Sequence, residues 1–257
     1  MQEDSVNDDS LRAARSASRT GGSSFATTRW TMVVAAGQED SPDARQALEF
    51  LCQKYWSPLY CYLRRQGHDR SCAEDFVQGF FTHLLEKRGL QSVKPQKYKF
   101  RSFLLASLKN FVADECRRAQ SQRRGGGKCI LPLEFEQAET WYSLEPSDRL
   151  SADKLFDRSW VMTVIARAME LLKREYAQAG KGELFEQLKD HIATEPKAGF
   201  YRQSADRLGM SDGAVRVAAH RLRRRLRELI RGEIAETVTT PEQLEEEIRD
   251  LFTAFEP

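Results

Sequence analysis

The sequence predicts an all-α protein made of two small helical domains joined by an acidic linker. Three observations carry that prediction. Apolar residues recur at spacings of three and four along most of the chain, as one face of a helix requires. No segment shows the period of two that marks a half-buried strand. Charge is also segregated: residues 97–128 hold nine Lys/Arg against two acids, and residues 201–231 hold nine Arg against three. Residues 130–160 carry seven acids and three bases, and residues 233–257 carry eight acids and one base. The formal net charge of +2 therefore conceals two basic nodes, which suits two separate contacts on a polyanion.

The chain opens with Glu3, Asp4, Asp8 and Asp9 and no apolar core segment, so residues 1–24 read as a disordered tail rather than a secretory signal. Ala44, Ala47, Leu48 and Leu51 then recur at helical spacing. Pro58 suits the first turn of a following helix that carries Leu59, Tyr62 and Leu63, and Gly67 ends it. Ser71 to Glu74 is a capping-box pattern. From there Ala73, Phe76, Val77, Phe80, Phe81, Leu84 and Leu85 form a wide apolar stripe, with Glu74, Asp75, Gln78, Thr82 and Glu86 on the other face and an end near Gly89. A loop around Pro95 leads to a second stripe, Phe100, Phe103, Leu104, Leu108, Phe111 and Val112. Opposite it lie Ala106, Asn110, Ala113, Asp114 and Arg117, with Lys109 and Arg118 beside them, before the glycines of a QRRGGGK tether stop the helix.

Residues 130–155, with Pro132 and Pro146, read as linker. Helices are expected over residues 160–176, 183–191 and 242–255, the last with a stripe of Leu244, Ile248, Leu251, Phe252 and Phe255. The expected organisation is a tail at 1–24, a first helical domain at 25–125, a linker at 126–158, a second helical domain at 159–235 and an acidic helix at 236–257.

Several function classes lack their signatures. Cys52, Cys61, Cys72, Cys116 and Cys129 form no CxxC pair and are odd in number, which suits mostly buried thiols in a reducing cytoplasm. His68, His83, His191 and His220 are scattered, so no metal site is expected. No apolar run approaches the ~18 residues that span a bilayer. Clustered carboxylates, a nucleophile–base pairing and a phosphate loop are all missing, since the glycines at 125–127 lack a following GK[ST]. The expectation is a cytoplasmic protein that is not an enzyme and needs no cofactor.

Residues 201–231 have the spacing of a helix-turn-helix. Ala205 is small enough for one helix to cross another, Gly209 suits a left-handed turn, and Val215 anchors the second helix with Ala219, Leu222, Leu226 and Leu229. Ser211 or Asp212 can cap that helix, and Arg216, His220, Arg223, Arg224 and Arg227 share another face. Gly213, Ala214, Arg216 and Val217, near its start, are placed to enter a major groove, with later arginines on the phosphates. The bland alternative is an arginine-rich solvated helix.

Three blocks together resemble the extracytoplasmic-function sigma factors of RNA polymerase, which keep only sigma regions 2 and 4. YWSPLYCYLRRQG at 55–67 followed by AEDFVQGFFTHLLE at 73–86 is similar to the family's first region 2 helices. KFRSFLLASLKNFVADECRRAQ at 99–120 is similar to its melting and −10-reading helix, and ADRLGMSDGAVRVAAHRLRRRLREL at 205–229 to its −35-reading region 4. The likeness covers residues 28–235.

It implies that Asp75, Gln78 and Thr82 dock on the polymerase core, where the bland alternative is a solvated face. It implies that Lys97, Tyr98, Lys99, Lys109, Asn110, Asp114, Arg117 and Arg118 meet the −10 element. Tyr98 then either stacks on a flipped base or packs in the core. It implies that Ser211, Gly213, Ala214, Arg216, Val217, His220, Arg221 and Arg224 meet the −35 element. The partners implied are polymerase core and promoter DNA, with room for an anti-sigma factor or another regulator and no membrane.

The sequence departs from the pattern in three places. Gln203 and Ser204 replace the usual acidic and branched residues, the segment 176–200 is longer, and the acidic tail 233–257 has no counterpart. That tail can be a packing helix, an autoinhibitory mimic of DNA charge or a partner site. The rival class is a helix-turn-helix regulator that never joins polymerase. It accounts for the third block and leaves the other two unexplained.

Overall fold

The computed structural model describes residues 29–35, 42–86, 99–121, 133, 135–144, 150–194 and 196–253. Among the described residues there are ten α-helices and no strand, as the apolar spacing predicts. They are α1 (Arg29–Ala35), α2 (Pro42–Arg65), α3 (Arg70–Glu86), α4 (Phe100–Ser121), α5 (Phe135–Leu144), α6 (Ala152–Gln178), α7 (Gly182–Leu188), α8 (Phe200–Leu208), α9 (Asp212–Ala235) and α10 (Pro241–Thr253). A single 3-10 turn, Lys189–His191, follows α7. No helix among the described residues is long and apolar enough to cross a membrane. The expected tail at 1–24 lies outside the described residues, as do Cys129, Phe255, and the Lys97 and Tyr98 of the expected −10 set.

The larger core gathers α1 to α6 with the end of α9 and with α10. Its centre is aromatic. Tyr55 stacks on Trp160 at 5.7 Å between ring centroids and meets Phe100 edge-on at 5.0 Å, and Trp30 lies 4.9 Å from Phe100. Each such pair adds about 0.5–1.5 kcal/mol beyond the area it buries. The smaller core joins Leu172, Phe185, Leu188, Ala205, Val215, Ala219 and Leu222.

Two helices belong to both cores. α6 contributes Phe156, Trp160 and Val164 to the larger and Leu172 to the smaller. α9 contributes Val215, Ala219 and Leu222 to the smaller and Ile234 to the larger. At 27 residues α6 is about 40 Å long, enough to reach from one core to the other.

Four local expectations are corrected. Pro58 lies in the interior of one continuous helix, α2, rather than at a helix start. Its missing N–H removes one intrahelical bond, but Tyr55, Leu59 and Tyr60 around it have no exposed surface, and their burial carries the helix through. The cap of α3 is Asp69, whose Oδ1 accepts from Cys72 N at 2.8 Å, two residues before the expected capping box; Glu74 pairs with Arg70 instead. The expected linker carries α5, with Phe135 and Ala138 buried, and the start of α6. Glu139 of α5 accepts from Arg64 Nη2 at 2.8 Å, so acids that look like linker polarity are ion-pair partners. Finally, Cys116 is exposed, whereas Cys52 and Cys61 are buried as expected.

The end of α9 is bonded to the first half of the chain. Glu233 lies 2.8 Å from Lys54 of α2 and 3.1 Å from Arg167 of α6. Trp30 N donates to Glu236 O at 3.1 Å, and Phe100 N donates to Thr237 O at 3.2 Å. Burial alone would raise the Glu233 carboxyl, but the hydrogen bond and charge of Lys54, with Arg167, outweigh it and hold the group below its ordinary range.

A depressed carboxyl contributes stability that is present above its unfolded value, about 4.3 for Glu, and lost as pH falls through the folded value. Glu233→Ala is therefore expected to cost about 3–5 kcal/mol at neutral pH, because it strands Lys54 in the interior. In urea unfolding the gap from the wild type should narrow as the pH is lowered through the folded value. A gap that stays constant with pH would assign the loss to packing rather than charge.

Candidate nucleic-acid interface

The α8–α9 pair is built as the spacing predicts. Ala205 and Val215 are buried where the two helices cross. Gly209 ends α8 with φ +63°, a left-handed conformation that costs most residues roughly 1–2 kcal/mol. Ser211, at φ −79° and ψ 151°, caps α9 by accepting from Ala214 N at 3.2 Å. Ser204 is buried beside Ala205.

This packing turns one face of α9 to solvent. Gly213, Ala214, Arg216, Val217, His220, Arg221 and Arg224 are all exposed along it, and Ser211 is exposed at its start. Val217 is half exposed although it is apolar, which suits contact with a thymine methyl better than solvation. The Arg216 guanidinium sits 4.6 Å over the Tyr201 ring, and its Nε donates to Asp212 Oδ2 at 3.0 Å. It is thus held in place at the helix start. Arg224 Nε lies 3.7 Å from Glu228.

Three arginines of the basic block do other work. Arg223, expected on the open face, donates to the carbonyls of Ile192 at 3.1 Å and His191 at 2.9 Å, satisfying the turn that follows α7. Arg225 donates twice to Glu175 of α6, at 2.9 and 2.7 Å. Arg231 pairs with Glu245 of α10. The block's charge is therefore divided between an open face and the framework that aims it.

Beside the start of α9 lies a polar cleft of about 610 Å³ whose lining includes Lys197, Gly199, Tyr201 and Arg216. Lys197 and Tyr201 add a cation and a ring to the face, and neither is singled out by the helix-turn-helix spacing. The basic residue and glycine just before α8 are the sequence signal for them.

On α3, Asp75 is exposed, and Gln78 and Thr82 are half-buried; at offsets of three and seven they share one face, opposite Ala73, Val77 and Phe81. Gly79 lies in the same helix, and a Cβ there would sit 3.3 Å from the Phe111 ring of α4, so the glycine allows the two helices to approach.

On α4 the expected −10 residues separate into two groups. Asn110, Asp114, Arg117 and Arg118 are exposed on its second half, where Arg117 bonds to Asp114, and Arg118 donates to Glu115 at 2.7 Å. Lys109 is exposed and lies 2.6 Å from Asp153 at the start of α6. Lys99 is half-buried against α10, 2.7 Å from Asp250. The structure thus brings the α4 residues onto one helix and the α9 residues onto another.

Among the described residues no group of three or more His, Cys, Asp or Glu could hold a metal ion. Comparison with protein-family models, curated proteins and solved structures finds no match for the chain.

The turn between α8 and α9 gives a direct check. A Cβ at Gly209 would meet nothing within 4 Å, so Gly209→Ala tests backbone conformation alone. It is expected to lose roughly 1–2 kcal/mol in thermal unfolding. Gly209→Asn, which tolerates the left-handed region better, should lose less. Equal losses would point to a contact rather than to the turn.

Proposed function

We propose that this protein is a bacterial sigma factor of the extracytoplasmic-function type, which recruits RNA polymerase core to promoters and helps to open them. The observation that carries the reading is the exposed face of α9, seven residues that begin at a capped helix start and run to Arg224. A helix of this width fits a major groove, and each bidentate arginine–guanine pair gives roughly 1–3 kcal/mol of discrimination. The second basic helix, α4, supports a second DNA contact through Lys109, Asn110, Arg117 and Arg118. The polar face of α3, Asp75 with Gln78 and Thr82, supports docking on the polymerase, since a face kept only for solubility would be served better by long charged residues.

In this reading α9 holds the upstream element and α4 captures bases of the non-template strand near −10. Capture offsets an unpairing and unstacking cost of a few kcal/mol. Base–aromatic stacking worth about 1–3 kcal/mol per base is the role proposed for Tyr98. Recruitment and melting are the protein's share, and the nucleotidyl chemistry belongs to the polymerase. The setting is the bacterial cytoplasm, and an anti-sigma factor or other regulator is a natural partner.

Run-off transcription from polymerase core tests the proposal. Adding the protein should produce specific transcripts, and the protein should co-purify with core. The double variant Asp75→Ala/Gln78→Ala should lose about tenfold or more in core affinity, equivalent to ~1.4 kcal/mol, while its helical circular dichroism is unchanged. No core binding at micromolar concentration would overturn the proposal in favour of a regulator acting without polymerase. Unchanged affinity of the variant would overturn the docking face alone.

A further inference from the structure

α10 lies against the start of α4, the helix that the proposed function turns toward single-stranded DNA. Lys99 Nζ is 2.7 Å from Asp250 Oδ2, 3.1 Å from Glu247 Oε2 and 3.9 Å from Glu246 Oε2. Arg101 donates from Nε to Glu247 Oε1 at 2.7 Å and bonds also to Asp157 of α6. Two cations therefore face four carboxylates, and Glu247 has no exposed surface. Burial lowers the pKa of Arg101, but Glu247 and Asp157 more than reverse this, so the guanidinium is held charged.

The chemistry of this contact differs from that of a permanent seat. Two of its carboxylates, Glu246 and Asp250, are more than half exposed, so a competing anion can reach the same cations from solvent. Leu244 and Leu251 of α10 are buried in the same core as Val164 and Ile234, with Ile248 packed against it, while an open cleft beside them is lined by Phe252, which is 73% exposed. A 13-residue helix is marginal in water by itself, so α10 depends on this seat.

Carboxylate and phosphodiester oxygens offer lysine and arginine the same charge-assisted acceptor. A nucleic acid adds the release of its own counterions. Farther along α4, Asn110, Arg117 and Arg118 are exposed while α10 is in place, the two arginines pairing with Asp114 and Glu115 of the same helix. We propose that α10 is a displaceable cover: in the free protein its carboxylates occupy Lys99 and Arg101, and the phosphates of single-stranded promoter DNA take those cations over. This rests on the sigma-factor reading of α4, and makes the acidic tail a regulator of that same site.

The test uses the full chain and a short fluorescein-labelled oligothymidylate, read by fluorescence anisotropy. Glu246→Gln/Asp250→Asn removes two half-exposed carboxylates of the cover and leaves Glu247 and the apolar seat intact. It should bind the oligonucleotide about tenfold more tightly than the wild type, since fewer ion pairs must be exchanged. Asp43→Asn/Glu170→Gln, which changes net charge equally and removes no carboxylate paired with Lys99 or Arg101, should change affinity by less than about twofold.

In the unmodified protein, hydrogen exchange of the amides at 242–253 should be protected without DNA and lose protection when the oligonucleotide binds. If both double variants bind alike, or if the amides stay protected in the DNA-bound protein, the cover is refuted while α4 remains DNA-facing. If none of the three proteins binds the oligonucleotide, the DNA-facing reading of α4 fails, and the cover with it.

Discussion

Glu233, near the end of α9, lies 2.8 Å from Lys54 of α2 and 3.1 Å from Arg167 of α6, and around this ion cluster the two halves of the chain are joined. The next residues complete the seam: Glu236 accepts from the backbone of α1, and Thr237 from that of α4. An interior lysine costs several kcal/mol to desolvate unless it is matched, so the cluster requires α2, α6 and α9 to meet in one register. Once they do, α6 and α9 run side by side from the larger core into the smaller one. The α9 face is thereby aimed from a long, doubly anchored helix rather than from a loop.

That framework explains how the arginines divide. Those turned inward or sideways, Arg223, Arg225 and Arg231, close the turn after α7 and tie α9 to α6 and α10. Those turned outward, Arg216, Arg221 and Arg224, stay exposed, and Arg216 and Arg224 pair with Asp212 and Glu228 of their own helix. On α4 the start is bound by carboxylates of α6 and α10, while the exposed Arg117 and Arg118 pair with Asp114 and Glu115 of the same helix. The acidic segments supply several of these partners: Asp153 and Asp157 bind Lys109 and Arg101, Glu247 and Asp250 bind Lys99, and Glu245 binds Arg231.

The parts of this arrangement that were legible in the sequence are those set by local geometry. Ala205, Gly209 and Val215 announce the helix-turn-helix because each answers a steric demand within a few residues of itself. The stripes of α3 and α4 follow from periodicity, and the faces carrying Asp75/Gln78 and Asn110/Arg117 are their complements. What was hidden depends on distant partners. Pro58 sits inside α2 because the surrounding core outweighs one lost backbone bond. α5 looked like linker because Glu139 finds Arg64 only after folding, across 75 residues of sequence. Lys99 looked like a free DNA contact because its partners lie some 150 residues away, in a helix that amphipathic spacing locates but does not dock.

The proposed sigma factor grips a promoter at two ends, with α9 upstream and α4 at the melted strand. The most direct measurement is a combined nuclease and permanganate footprint of core plus protein on a promoter fragment. The account predicts an upstream protected element together with permanganate-reactive thymines near −10, both requiring core and protein at once. With Arg216→Ala, upstream protection should be lost on the intact duplex while a pre-melted template is still engaged. Protection of one site by the protein alone, with no downstream opening when core is added, would contradict the account.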